Sequence, residues 1–187
     1  EGHYQAEDYK AAVAALKELT TLLEEFEAEA EKQAQHDLYI SALETLKLDE
    51  RLGEMRSLAY PEAEDEAAAV DTADAARLEL AKAEDYEGAR RKAFDEGKLL
   101  DAYGSRKDAI ELARDHCEHN AANLDALIDE ALATTGETSP ELEAAQAELK
   151  AIKTRLDAAL KAKRFIEAAK IADEVKTKAT EVEKIRF

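Results

Sequence analysis

Apolar residues recur every three or four positions along most of the chain, which is the spacing of amphipathic helices. Pro61 interrupts the pattern, because proline cannot continue an incoming helix and pushes Tyr60 toward extended geometry. The acidic residues that follow in PEAEDE favour the first turn of a new helix, where negative charge complements the helix dipole. One helix is therefore expected to end before Pro61 and another to begin after it.

The segment ATTGETSPELE marks a second interruption. Gly136 suits the left-handed end of a helix. The next helix has two candidate starts, a capping box from Thr138 to Glu141 or the Ser139-Pro140 pair. The pattern predicts three long helices, which are listed here by range: about residues 4–59, 62–134 and 139–186.

Short connections make consecutive helices antiparallel neighbours. At 1.5 Å per residue, the first helix would be on the order of 80 Å long, which indicates an elongated molecule. The expected fold class is all-α, an elongated antiparallel bundle of three long helices that forms one domain over residues 1–187.

Each segment carries an apolar seam of leucine and alanine, which we expect to form the core. The first seam is Leu16, Leu19, Leu23, Phe26 and Ala30, then Leu38, Ala42, Leu46, Leu52 and Met55. The third seam is Leu142, Ala145, Leu149, Ile152, Leu156 and Leu160, then Ile166, Ala169, Ala172, Val175, Ala179 and Val182.

The second segment has two seams that do not join. The first comprises Val70, Ala73, Leu80, Ala83 and Tyr86, and the second comprises Ile110, Ala113, Cys117, Leu124, Ile128 and Ala131. Extending the second seam backward meets Arg106 and Glu96, which are charged. This mismatch, together with Gly97 and Gly104, predicts a kink or a break near residues 97–106.

The composition supports the helical assignment and limits the classes of binding partner. Alanine and glutamate, both strong helix formers, account for over a third of the residues. Acidic disorder is the competing interpretation, but 45% of residues are apolar and they recur at helical spacing. The net charge of -18 disfavours nucleic acid and anionic lipid as partners. No apolar run is long enough to span a bilayer.

The segment RDHCEHN, residues 114–120, concentrates residues that can bind metals. Helical phase places Cys117 on the second seam, seven residues from both Ile110 and Leu124, where a thiol behaves as a small buried hydrophobe. His116 and His119 share a different face, about 100° away. A tetrahedral zinc site needs these groups to converge, so we expect a buried, inert Cys117, solvated histidines and no metal.

No other motif indicates catalysis or a cofactor. The sequence contains no glycine-rich phosphate loop, no G-x-S-x-G, no H-E-x-x-H and no C-x-x-C. The acidic stretch EAEDE at 62–66 lacks the ligand spacing of a calcium loop, so a solvated first turn is expected. We therefore predict no catalytic, cofactor-binding or metal-binding residues and no enzymatic activity.

A weak internal repeat places an aromatic residue three positions before an alanine. It occurs in DYKAAVAAL, DYEGARRKA and RFIEAAKIA, at Tyr9/Ala12, Tyr86/Ala89 and Phe165/Ala168. The third copy resembles the short helical-hairpin motif of subunits B and C of the bacterial excision nuclease. The resemblance covers about a dozen residues, and a shared packing step at the core is the simpler cause.

The stretches EEFEAEAEKQAQ, EDEAAAVDTADAARLELAKAEDYEGA and ELEAAQAELKAIK, with the helix layout, resemble the glutamic acid/alanine-rich surface proteins of African trypanosomes. The resemblance implies an architecture like that of the variant surface glycoprotein core and the haptoglobin–haemoglobin receptor. It also implies a glycosylphosphatidylinositol-anchored coat protein at the cell surface, whose anchor signal lies outside this chain. Residue 1 is Glu, which is consistent with a trimmed ectodomain.

The sequence is compatible with three functions. The first is a structural surface-coat protein, with lateral self-packing or contacts to host or vector surfaces. The second is an intracellular coiled-coil scaffold or cytoskeletal adaptor, whose exposed helix faces dock partner helices. The third is a ligand-binding receptor ectodomain on the same bundle. Seams of leucine and alanine occur both in bundles within one chain and in dimers, so the sequence does not determine the oligomeric state.

Overall fold

The computed structural model describes residues 2–133 and 139–186, and these residues form helices and short turns without a strand. The predicted all-α class is confirmed, whereas three uninterrupted helices are not, because the described residues form six. The helices are α1 (Gly2–Leu46), α2 (Leu48–Ser57), α3 (Glu64–Lys82), α4 (Tyr86–Leu132), α5 (Pro140–Lys161) and α6 (Phe165–Arg186), with a short 3-10 helix at Pro61–Ala63.

Both helix starts that depend on proline are confirmed. Tyr60 is extended (φ -105°, ψ 110°), as expected before Pro61, and the 3-10 helix begins at that proline. Ser139 caps α5, since its hydroxyl oxygen accepts a hydrogen bond from the Leu142 backbone N–H at 3.1 Å. Gly136 and the alternative cap at Thr138 lie outside the described residues.

Of the two alternatives predicted near residues 97–106, the break is wrong and the kink stays a prediction. Those residues lie inside α4, which runs without interruption from Tyr86 to Leu132. The second segment instead breaks at residues 83–85, where Glu84 adopts a left-handed conformation (φ 61°). Neither glycine nor proline marks this turn. The first and third segments also break at left-handed lysines, Lys47 (φ 49°) and Lys163 (φ 56°).

The turns before α4 and α6 have the same geometry. In the first, the Asp85 N–H donates to the Leu80 carbonyl at 3.0 Å, across the left-handed Glu84. In the second, the Arg164 N–H donates to the Ala159 carbonyl at 2.9 Å, across Lys163. This is the hydrogen-bond pattern that closes a helix with a left-handed residue.

The sequence repeat at Tyr86 and Phe165 therefore has a structural basis, because each aromatic residue begins the helix after such a turn. Three positions later, Ala89 and Ala168 are both fully buried. The Tyr9/Ala12 copy differs, since it lies within α1 and is exposed.

The chain folds into two compact units. Unit 1 comprises Glu1–Glu50 and Thr72–Gly97, and unit 2 comprises Arg51–Asp71 and Lys98–Phe187. The single domain expected over residues 1–187 stays a prediction.

Unit 2 contains an apolar core built by the second half of α4 with α5 and α6. The predicted third seam is largely confirmed, with only Ile152, Leu160, Ile166 and Ala169 half-buried instead of fully buried. The core residues are Leu124, Ile128, Ala131, Leu142, Ala145, Leu149, Leu156, Ala159, Ala168, Ile171, Ala172, Val175, Ala179 and Val182.

Unit 1 contains a buried ionic cluster at the point where α1, α3 and α4 meet. The Arg77 guanidinium donates through Nε to Glu96 Oε2 at 2.7 Å, through Nη1 to Tyr39 Oη at 2.7 Å and through Nη2 to Asp74 Oδ1. These four residues are at most 7% exposed. Burial lowers the pKa of Arg77, but the hydrogen bonds to Glu96 and Tyr39 outweigh it and raise the pKa, so the guanidinium stays charged.

This cluster explains why the two apolar seams of the second segment do not join. Glu96 is fully buried on the core face of α4, so a charged residue occupies a position where the pattern requires an apolar one. Arg77 compensates that charge from α3. Counting 79 residues onward from Arg77 and Glu96 reaches Leu156 and Val175, which are buried in unit 2. At corresponding positions, the α3–α4 segment therefore has an ion pair and the α5–α6 segment has two apolar core residues.

The first half of the predicted first seam is exposed and does not form a core. Leu16, Leu19, Leu23 and Phe26 are 56–72% exposed. Every described side chain from residue 9 to residue 31 is exposed. Later members fit better: Ala42, Leu52 and Met55 are buried, Leu46 is half-buried and Leu38 is exposed.

We predict that Arg77→Leu lowers the free energy of unfolding by about 3–5 kcal/mol, because it removes the guanidinium that bonds the buried carboxylates of Glu96 and Asp74. The control Arg91→Leu, in the same unit, removes an exposed pair with Glu87 and should cost little. The double variant Arg77→Leu/Glu96→Val removes the buried Glu96 carboxylate as well and should recover part of the loss, because Asp74 stays buried and still lacks its bond to Arg77. Urea unfolding followed by circular dichroism measures all three, and equal losses for Arg77→Leu and Arg91→Leu would contradict this account.

At the left-handed turn before α6, we expect a substitution to raise the free energy of unfolding. Lys163→Gly should raise the free energy of unfolding by about 0.5–1 kcal/mol, because glycine removes the steric cost of a side chain at positive φ. Lys150→Gly, at an exposed position within α5, should instead lower it by about 1 kcal/mol. Thermal unfolding of the two variants provides the comparison, and destabilisation by both would show that Lys163 is not strained.

Candidate functional site

The potential metal-binding residues of RDHCEHN lie in α4, within unit 2, and do not converge. Cys117 packs against the core of α4, α5 and α6, and its Sγ donates to the Phe165 carbonyl oxygen at 4.0 Å. The inward direction predicted from helical phase is therefore confirmed. The prediction of full burial is wrong, because Cys117 is half-buried.

His116 and His119 are both exposed, and each makes hydrogen bonds within its own turn of α4. His119 Nδ1 lies 2.8 Å from the Asp115 carbonyl oxygen and donates to it. Asn120 Nδ2 donates to the His116 carbonyl oxygen at 2.8 Å. Among the residues the structure describes, no group of three His, Cys, Asp or Glu side chains is arranged to hold a metal ion.

The acidic stretch at 62–66 contributes a helix cap. The two carboxylate oxygens of Glu62 accept hydrogen bonds from the backbone N–H groups of Ile166 and Glu167, each at 3.0 Å. A carboxylate at this place complements the positive end of the α6 dipole. Glu62 therefore joins the 3-10 helix to α6 inside unit 2, a role that the sequence pattern did not reveal.

The most unusual surface is an exposed apolar stripe on the first half of α1. We define the α1 stripe as Tyr9, Ala12, Leu16, Leu19, Leu23, Phe26 and Ala30. Its members alternate spacings of three and four residues, so they occupy the a and d positions of consecutive heptads. Leu22 and Val13, also exposed, flank it at a g and an e position. A seam of this kind normally faces another helix.

The α1 stripe and the packed part of α1 lie on different sides of the helix. From Lys32 onward α1 contacts the rest of unit 1: Lys32 pairs with Glu84, and Tyr39 bonds Arg77 and stacks on Tyr86 with ring centroids 6.2 Å apart. At about 100° per residue, the stripe centres on the order of 150° around the axis from Tyr39 and Ala42. The face that packs within unit 1 is therefore not the face that carries the stripe.

Polar groups beside the α1 stripe are compatible with burial. The hydroxyls of Thr20 and Thr21 donate to the Leu16 and Lys17 carbonyls at 2.9 and 3.2 Å, within the helix itself. Hydroxyls satisfied in this way lose no hydrogen bond when water is excluded. The flanks are strongly acidic, since residues 18–31 contain six glutamates and neither lysine nor arginine.

Comparison of the chain with protein families, curated proteins and solved structures finds no match in any of the three. The resemblance to trypanosome surface proteins stays a prediction from composition and helix layout. Among the described residues, no helix combines the length and the apolar character needed to cross a bilayer. The residues of the chain itself therefore provide the basis for a functional proposal.

The environment of Cys117 predicts that its thiol is alkylated slowly. Burial raises the pKa of Cys117, and the carboxylates of Glu118 and Glu62 raise it further. Less thiolate is then present at a given pH, so alkylation by iodoacetamide at about pH 8 should be several-fold slower in the folded chain than in guanidinium. The rate of alkylation should also rise at higher pH in the folded chain than in the unfolded chain. Identical pH profiles of this rate for the folded and unfolded chains would contradict the prediction.

Proposed function

We propose that the protein is a non-enzymatic helical scaffold that docks a helix of another chain along the α1 stripe. The observation that carries the proposal is the exposure of Leu16, Leu19, Leu23 and Phe26 in one heptad register. Soluble proteins seldom leave a contiguous row of large apolar side chains in water, and such rows mark interaction sites. A second helix is the partner whose shape matches a heptad seam.

The free energy gained by burying the α1 stripe is of the same order as the cost of association. Full burial of four leucine or phenylalanine side chains is worth about 6–12 kcal/mol, at about 1.5–3 kcal/mol each. Association costs about 4–15 kcal/mol in lost translational and rotational freedom. The helical framework of α1 reduces the further cost of ordering the binding segment. The gain and the cost are of similar size, so binding needs most of the stripe and the loss of two leucines should weaken it strongly.

The exposed stripe favours the scaffold over the surface coat. The coat interpretation rests on an acidic surface with few exposed hydrophobic residues, which suits dense packing of identical molecules. The stripe departs from that description over more than two helical turns. The divergence of Cys117, His116 and His119 supports the non-enzymatic part of the proposal, because these residues do not form a nucleophile–base pair or a ligand set.

The proposal is tested with a synthetic helical peptide that has leucine at every a and d position and glutamine at the flanking positions. Fluorescence anisotropy should show that the full chain binds this peptide. The double variant Leu16→Ala/Leu23→Ala keeps helix propensity but removes two anchors, so affinity should fall by about 100-fold or more.

The matched control is Leu112→Ala, which truncates a leucine that is 72% exposed on α4, in unit 2, outside the stripe. It should bind the peptide as the unmodified chain does. No binding by the unmodified chain would overturn the proposal, and so would equal binding by the double variant.

A further inference from the structure

The charges that flank the α1 stripe restrict which helix it binds. We infer that the partner is a basic amphipathic helix, with an apolar seam bordered by lysine or arginine, and not a second copy of this chain. The inference rests on the proposed function, because it describes the partner of the same surface. It is carried by the position of the flanking glutamates relative to the seam.

Glu27 and Glu29 occupy the e and g positions on either side of Phe26. In a coiled coil these positions lie closest to the partner's flanking residues and decide which helices pair. Four further glutamates, Glu18, Glu24, Glu25 and Glu31, lie on the remaining faces of the same stretch. The field along the second half of the stripe is therefore negative, whichever direction the partner helix takes.

A second copy of the chain would be a poor occupant. Pairing two such stretches in parallel would bring twelve glutamates together, six from each helix, without a basic residue between residues 18 and 31. In an antiparallel pair, Lys10 and Lys17 would approach the acidic half, but both lie at b positions, away from the contact. The net charge of -18 adds general repulsion between copies.

A membrane surface is also a poor occupant. A seam restricted mainly to a and d positions is narrower than the apolar face of a helix that lies in a bilayer interface. Interfacial helices carry lysine and arginine on their polar face, which attract anionic headgroups. The polar face beside the α1 stripe carries Lys10 and Lys17 in its first half, but from residue 18 to residue 31 its charged residues are all glutamates. A basic helix satisfies both the apolar seam and the charge of its borders.

The experiment compares three forms of one leucine-seam peptide, with lysine, glutamine or glutamate at the e and g positions. Binding to the full chain is measured by anisotropy at low and high salt. The lysine form should bind at least about tenfold more tightly than the glutamate form, and salt should reduce the difference. The variant Glu27→Lys/Glu29→Lys should remove or reverse this preference.

The matched control is Glu130→Lys/Glu143→Lys, which makes the same change in net charge at exposed positions outside the stripe. It should keep the preference for the lysine peptide, because the inference depends on local charge. Loss of the preference in both double variants would show that net charge alone selects the peptide, and would overturn the inference.

The outcomes separate the inference from the proposed function. Binding of all three peptides with equal affinity would overturn the basic-partner inference and leave helix docking intact. Sedimentation equilibrium could instead show a dimer that Leu16→Ala/Leu23→Ala abolishes. That result would place a second copy on the stripe, which would overturn the basic-partner inference and leave helix docking intact. Cosedimentation with phosphatidylcholine–phosphatidylserine vesicles that depends on the same leucines would overturn both, as would failure to bind any of the three peptides.

Discussion

A helix can bury only the faces that its neighbours cover, and this constraint divides α1 into two parts. From Lys32 onward, one face packs through Tyr39 and Ala42 within unit 1. In the α1 stripe, between residues 9 and 30, the apolar residues lie on nearly the opposite side of the helix and remain exposed. Their heptad spacing supports the proposal that a second helix covers them. The proposed role of the protein follows from this uncovered seam.

The packed part of the structure shows that similar hairpins can be stabilised by different chemistry. Both the turn before α4 and the turn before α6 use a left-handed residue, an aromatic helix start and a buried alanine. Beyond the turn, unit 1 places Arg77 against Glu96, whereas unit 2 places apolar side chains at the corresponding positions, Leu156 and Val175. A buried ion pair is seldom a net gain over an apolar pair, although breaking it is costly.

Sequence reasoning succeeds where local chemistry dictates the backbone or where a seam is covered. Pro61 and the Ser139 cap determine two helix boundaries, and the seam of α5 and α6 forms the core. It fails at Glu84 because nothing in that residue's type demands a left-handed conformation. It misjudges Glu96 because its partner Arg77 lies 19 residues away on another helix. Periodicity also cannot tell an intramolecular core from a docking surface, so it assigns the α1 stripe to the core.

Hydrogen exchange along α1 tests this account most directly. An exposed helical segment without tertiary packing should exchange its amides quickly, whereas those of the α5–α6 core should be protected. Addition of the lysine-flanked peptide should protect residues 9–31 and leave the core unchanged. Slow exchange of residues 9–31 in the free chain, or no change when the peptide is bound, would contradict the claim that this segment is an unoccupied docking helix.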